Sequence, residues 1–230
     1  MRRLSPVLYL VVAVLMAVAG IYLSSEQTSH SAVATKPPSR VKTDTNPFLT
    51  TCATCHGKHG EGNREVSAPA IASLPEWYLR LQVENFRTGK RGTHVDDSQG
   101  KIMRDTLLSL EPAAIDEALA YLLTLPAVKI KSSIQGDLKN GAYLYREHCM
   151  ECHRYNGRGE VVFKSAPLVG LQDWYLLAQW DKFKSGTRGY HTDDESGAKM
   201  RKTVSYLKSD QDVRDVILYI STLTEKHPKK

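Results

Sequence analysis

Cysteine and methionine are scarce in this chain, four and five in 230 residues. All four cysteines fall in two Cys-x-x-Cys pairs, so no thiol is left over for another purpose. The pairs lie 97 residues apart, far beyond the spacing of about 15–20 that closes a zinc ribbon. Strand patterning is equally thin. No βαβ pattern surrounds either pair, which excludes a thioredoxin-like redox motif. Charge of one sign is missing too, once the ends are set aside. The formal +6 resides in Arg2 and Arg3, in a segment where Lys36, Arg40 and Lys42 outweigh Glu26 and Asp44 by one, and in Lys226, Lys229 and Lys230. The stretch between is neutral, and nothing in it marks a nucleic-acid binder.

What the chain does have is a histidine directly after each pair: Cys52-Ala-Thr-Cys55-His56 and Cys149-Met-Glu-Cys152-His153. Cys-x-x-Cys-His points to covalently attached haem, here twice. The two thiols add to the haem vinyl groups as thioethers, and the adjoining histidine offers iron its proximal nitrogen from the same helical turn.

Both motifs sit in an internal repeat. Trp77 to Met103 reads WYLRLQVENFRTGKRGTHVDDSQGKIM and Trp174 to Met200 reads WYLLAQWDKFKSGTRGYHTDDESGAKM, again at an offset of 97. Upstream, Ser67-Ala68-Pro69 answers Ser165-Ala166-Pro167 with a slip of one residue. A tandem duplication accounts for this and predicts two homologous domains, at 46–126 and 136–225, joined by a linker at 127–135. Each is about 80–90 residues, a size at which a hydrophobic core alone is marginal. A covalently held haem with a large apolar face supplies the missing core.

Local patterning is helical. Gly141 to Cys149 reads as a helix capped by Asp137, and Asn46-Pro47-Phe48-Leu49 opens its abbreviated counterpart, with Phe48 at the register of Tyr145 and no glycine matching Gly141. Trp77 to Phe86 and Trp174 to Phe183 are amphipathic. Pro112 to Leu125 and Asp210 to Leu223 carry core stripes of Ile115, Ala118, Leu119 and Leu122, then Val213, Val216, Ile217 and Ile220. Long loops are expected over 57–73 and 88–103, where they can wrap the haem.

The sixth iron ligand follows by elimination. Met1 and Met16 belong to the N-terminal segment and Met150 lies inside a haem motif, which leaves Met103 and Met200, each 47 residues after its histidine. His94 and His191, nine residues before each methionine, stand as the competing ligands and would give lower potentials. For Asp96, Asp97, Asp193 and Asp194 the expected role is local turn and cap hydrogen bonding rather than metal binding.

Together these residues resemble a dihaem class I cytochrome c, the two-domain periplasmic electron carriers of respiratory bacteria. The resemblance covers about 46–225 and rests on the haem motif, the Ala-Pro loop, the Gly-x-Arg-Gly-x-His segment and the Met-Arg pair. It implies an all-α fold with two haem c groups, and it implies that Pro69 and Pro167 present carbonyls to the proximal imidazoles. Trp77, Tyr78, Trp174 and Tyr175 would pack near the haems or reach their propionates, or simply fill core. Arg91 and Arg188 are candidate propionate partners. The departure is the first helix, where the usual glycine is missing.

Before the repeat, Arg2 and Arg3 precede an apolar run from Val7 to Leu23, which reads as an export segment retained as an anchor at 1–23 with the haem domains on the periplasmic side of the inner membrane. Cleavage, giving a soluble periplasmic protein, is the alternative. Residues 24–45 form a polar tether, whose 22 residues give a reach of roughly 23–28 Å, and 226–230 a basic tail. The reading that follows is electron transfer, from a quinol-oxidising complex or another cytochrome to a terminal oxidase or reductase. Two other readings stay open: a dihaem redox enzyme of peroxidase or thiosulfate-oxidising type, and a permanent subunit of a membrane complex. Because haem stands in for core in such small domains, protein produced without haem attachment is expected to lack a cooperative unfolding transition in far-ultraviolet circular dichroism.

Overall fold

The chain is described here from a computed structural model that covers residues 45–226. The expected anchor, nearly all of the tether and the last four residues lie outside the described residues. No helix among the described residues is long and apolar enough to cross a membrane.

In the first half a π-helical turn, Phe48–Cys52, runs into α1 (Ala53–His56), followed by α2 (Glu76–Arg87), α3 (Ser98–Leu108) and α4 (Pro112–Leu122). The second half repeats the order with α5 (Leu138–His148), α6 (Met150–His153), α7 (Asp173–Ser185), α8 (Glu195–Val204) and α9 (Asp210–Lys226). Extended pairing among the described residues is confined to two isolated bridges, Asn63 with Ala68 and Glu160 with Ser165. The architecture is helical, as the patterning implies.

The stripes become core faces by their spacing. Val213, Val216, Ile217, Ile220 and Leu223 lie along one side of α9 at intervals of three and four, and all are buried. They close on Tyr145 of α5, whose hydroxyl donates to the Arg154 carbonyl at 2.7 Å. In the first half Ile115, Ala118, Leu119 and Leu122 of α4 close on Phe48, equally buried at 1% exposure. Asp137 caps α5 by accepting from the Lys139 and Asn140 amides at 2.8 and 3.1 Å. α4 ends at Leu122 rather than Leu125, because the next amides turn back in short i→i+3 bonds, Thr124 to Tyr121 and Leu125 to Leu122.

One expectation is corrected. Residues 88–103 are not loop throughout: helices start at Ser98 and Glu195, so Met103 and Met200 lie inside α3 and α8. Both helices are polar and carry a glycine near the start, which hides their periodicity. What starts them is the second aspartate of each Asp-Asp pair. Asp97 accepts from the Gly100 amide at 3.0 Å and Asp194 from the Gly197 amide at 2.9 Å. A Cβ on either glycine would lie about 2 Å from that capping carboxylate, so only glycine admits the cap.

The two halves differ at the first helix. Gly141 lets α5 cross α9 in direct backbone contact, since a Cβ there would sit 1.9 Å from the Asp215 carbonyl oxygen. Asp215, 2% exposed, accepts from the Asp137 amide at 2.7 Å and from Asn140 at 2.8 Å, tying the crossing together. The π-helical turn of the first half has no such crossing and meets α4 through Phe48, stacked on Tyr121 at 5.5 Å. Between the halves the linker is strapped down. Asp173 at the start of α7 accepts from the amides of Ser133 and Ile134 at 2.7 and 3.1 Å, and Gln172 spans to the first half, accepting from the Ala70 amide at 2.9 Å and donating to the Glu61 carbonyl at 2.8 Å. Gly141→Ala is therefore expected to destabilise the second half by about 1–3 kcal/mol through overpacking against a backbone that cannot yield. Chemical denaturation of the haem-loaded protein, followed at each haem, checks this.

Candidate haem sites and the interface between them

A helical turn places residues i, i+3 and i+4 on one face. Cys52, Cys55 and His56 occupy those positions and line one cavity of about 510 Å³ together with Met103, within the range of a pocket for a large organic group. Its walls are largely apolar, with Phe48, Leu79, Phe86 and Leu119 among them. Trp174, Tyr175, Ala178, Gln179 and Lys182, all from the second half, complete it.

Each proximal histidine is fixed by one bond. His56 Nδ1 lies 2.8 Å from the Pro69 carbonyl oxygen and His153 Nδ1 lies 2.7 Å from that of Ala166. A carbonyl only accepts, so Nδ1 carries the proton and Nε2 keeps its lone pair for iron. Burial lowers the pKa of both imidazoles against the opposing pull of those carbonyls, which keeps them in the neutral, ligating form.

Pro167 is thus not the acceptor. The apparent slip in the Ser-Ala-Pro loop does not exist in three dimensions, where the offset of 97 runs unbroken. The bridge Asn63–Ala68 answers Glu160–Ser165, the left-handed residue Ser67 answers Lys164, and both accepting carbonyls lie 13 residues beyond their histidines. Backbone register, not proline, selects the oxygen.

The thiols are not set up for disulfide chemistry. Burial pushes Cys149 up to about 12 and raises Cys52 as well, whereas a redox-active cysteine needs a lowered pKa. Among the described residues no cluster of histidine, cysteine and carboxylate could hold a metal ion. The competing histidines lie apart from the cavity lining. His94 packs edge-on against Tyr190, with ring centroids 5.1 Å apart, and its Nδ1 accepts from the Asp96 amide at 3.2 Å, a geometry His191 copies with Asp193.

Arg91 is buried and Arg188 half-buried at the contact between the halves. Arg91 donates to Gln82 at 2.6 Å and to Gln179 at 3.3 Å, while Arg188 donates to Gln179 at 2.8 Å and to Gln82 at 3.5 Å. Arg91 also engages Tyr175, and Arg188 engages Tyr78. Each partner set is the other shifted by 97, the reciprocity of a two-fold interface. Thr93 and Tyr190, themselves equivalents, bond to each other and so lie on the axis. Trp77 takes no part in the cavity lining and packs against the first core.

This interface holds one buried and one half-buried guanidinium and accepts them mainly with neutral oxygens. Burial and the Arg91 charge pull Arg188 below its ordinary pKa. Tyr175 is lowered too, since the two arginines outweigh burial. The Arg91 Nε is buried without a partner, beside the cavity that its side chain lines. Haem fits the site: thiols and a tautomer-fixed histidine for attachment, an apolar wall, and an unmet cationic donor, Arg91 Nε, that could meet a propionate. Residue patterning did not single out Gln82, Gln179 or Lys182. The recurrence of glutamine in the repeat was the available signal for the first two.

The fold and these sites define a two-domain protein built for covalently bound haem. The cytochrome c family model matches residues 46–126 and 138–224, and the chain belongs to that family, with two class I domains and two covalently attached haem c groups. A thiosulfate dehydrogenase electron acceptor of Stutzerimonas stutzeri is 28% identical over 191 residues, 79% of this chain and 82% of the relative. The structure of thiosulfate dehydrogenase TsdBA from Marichromatium purpuratum is similar with a TM-score of 0.57 and 28% identity over 74% of this chain. The match spans only 36% of that longer chain. Cytochrome c4 of Acidithiobacillus ferrooxidans shares the fold, with a TM-score of 0.59 and 23% identity over 75% of this chain and 98% of its own.

With haem attachment established, Cys55→Ala or Cys152→Ala is expected to leave one haem on a single thioether. The pyridine haemochrome band should move to longer wavelength, because one vinyl group stays conjugated, and the yield of holoprotein should fall. Absorption per chain checks both.

Proposed function

We propose that this protein is an electron carrier rather than an enzyme, accepting electrons from a thiosulfate-oxidising protein and passing them towards a terminal oxidase or reductase. When bound, each haem supplies a one-electron ferric/ferrous couple. The observation that carries the reading is that side chains of the second half complete the wall of the first haem cavity. Gln82, Gln179, Arg91 and Arg188 lock the halves together around that wall, so the chain holds two redox sites in one body with little reorganisation. The relatives named as thiosulfate dehydrogenase electron acceptors support the choice of donor.

In this reading His56 and Met103 would hold the iron of one haem and His153 and Met200 that of the other. Support comes from Met103 lining the cavity with His56 and from the identical spacing in both repeats. With a methionine at each iron there would be no open site for substrate, which would set the carrier apart from the enzyme. The apolar segment at 7–23, preceded by Arg2 and Arg3, supports an N-terminally anchored protein on the periplasmic side of the inner membrane.

Mixing the oxidised protein with thiosulfate and a thiosulfate dehydrogenase tests the donor. Fast haem reduction that needs the enzyme is expected, and reduction no faster than with thiosulfate alone would overturn it. Reduction by thiosulfate without any second protein would favour the enzyme reading instead.

The ligand assignment is tested separately. Met103→His and Met200→His should each remove one haem's share of the methionine-to-iron charge-transfer band and lower that haem's potential, whereas His94→Ala and His191→Ala leave the band intact.

A further inference from the structure

One of the contacts that break the two-fold symmetry between the halves pairs two charges. Lys182 of α7 lines the first haem cavity, and its ammonium donates to the carboxylate of Asp97 across the interface. Asp97 is buried and Lys182 half-buried, with side-chain exposures of 3% and 18%. Asp97 is the cap of α3, the helix that carries Met103.

The equivalent of Lys182 in the first half is Asn85, which is buried. The equivalence is structural as well as sequential: the Arg91 amide donates to the Asn85 carbonyl and the Arg188 amide to the Lys182 carbonyl, both at 2.9 Å. Asp194 caps α8 as Asp97 caps α3. It accepts from the Gly197 amide at 2.9 Å and the Ser196 hydroxyl at 3.2 Å, and among the described residues it forms no ion pair. A buried carboxylate beside the first site is thus neutralised by an ammonium from the other half, while its copy beside the second site is not.

We propose that Lys182 sets the potential of the haem in the opposite domain, raising it and so making the two sites of the repeat unequal. The inference rests on the dihaem assignment, and neither the thiosulfate reading nor the identity of the sixth ligand enters it. Reduction removes one positive charge from iron. An unneutralised carboxylate nearby therefore favours the ferric form, and cancelling that carboxylate favours the ferrous form. In a partly buried setting with an effective dielectric constant of about 20, one unit charge at roughly 10 Å is worth about tenfold in an equilibrium constant. The reciprocal partner sets of Arg91 and Arg188 give no such asymmetry. Lys182 is a positioning residue here, acting on the cofactor through the field.

The test is a spectroelectrochemical titration of the full dihaem protein, resolving its two one-electron waves. Lys182→Asn, which copies Asn85, should lower one wave by the equivalent of about tenfold in its ferric-to-ferrous ratio, 59 mV for one electron, and move the other far less. Asn85→Lys, which copies the lysine into the mirror position, should raise the other wave. Lys182→Arg should keep the parent values. The proposal is overturned if Lys182→Asn moves neither wave or both equally, or if Asn85→Lys moves the same wave as Lys182→Asn. Should the Lys182→Asn protein fail to accumulate with two haems, Asn85→Lys decides alone: one wave raised supports the proposal, and none raised overturns it. A thiosulfate reduction assay reads the donor independently, so failure of one proposal is distinguishable from failure of the other.

Discussion

The bond from each axial imidazole to a backbone carbonyl thirteen residues later constrains much of the rest of the structure. It fixes the tautomer, leaving Nε2 for iron, and it determines how the intervening loop must run. Glycines in both loops take positive φ, Gly57, Gly60 and Gly62 in the first and Gly157 and Gly159 in the second. A Cβ at Gly62 or Gly159 would strike the strand returning to the histidine at about 2.5 Å. Those glycines are therefore set by the loop's need to close on itself at short range. Proline at the accepting position is dispensable, as Ala166 demonstrates.

Electrostatics at the interface is the second organising feature. Burying a guanidinium against neutral acceptors is costly, and this protein does so fully at Arg91 and in part at Arg188 within one contact. The reciprocal arrangement of Gln82, Gln179, Tyr78 and Tyr175 meets part of that demand. Haem carboxylates meeting the remainder would couple attachment of the cofactors to docking of the halves. An interface that depends on both haems would favour the fully loaded protein over a half-loaded one.

Duplication began from equal halves, and two of the places where they now differ have direct physical consequences. The second half crosses α5 and α9 in backbone contact at Gly141, whereas the first uses a π-helical turn and an aromatic stack. The first half receives an ammonium at its capping aspartate, whereas the second does not. One difference lies in packing and so bears on stability. The other lies in charge beside a redox site and so bears on potential.

Attachment chemistry was legible in the sequence because it is local: Cys-x-x-Cys-His fits within one helical turn and needs no distant partner. The helical stripes of α4 and α9 were legible for the same reason, since burial imposes a period on neighbouring residues. α3 and α8 were not, because they start from a single capping carboxylate and present too few apolar residues to show a period. Ala166 was hidden behind a matching Ser-Ala-Pro string, since likeness of letters carries no information about which carbonyl faces inward. By itself the sequence determined the cofactor, its number and the repeat, all written in residue types at short spacing. Only the tertiary structure decided that Arg91, Arg188 and Lys182 find their partners between the halves, because a cation's surroundings depend on chain segments some ninety residues away that meet only when both halves have folded.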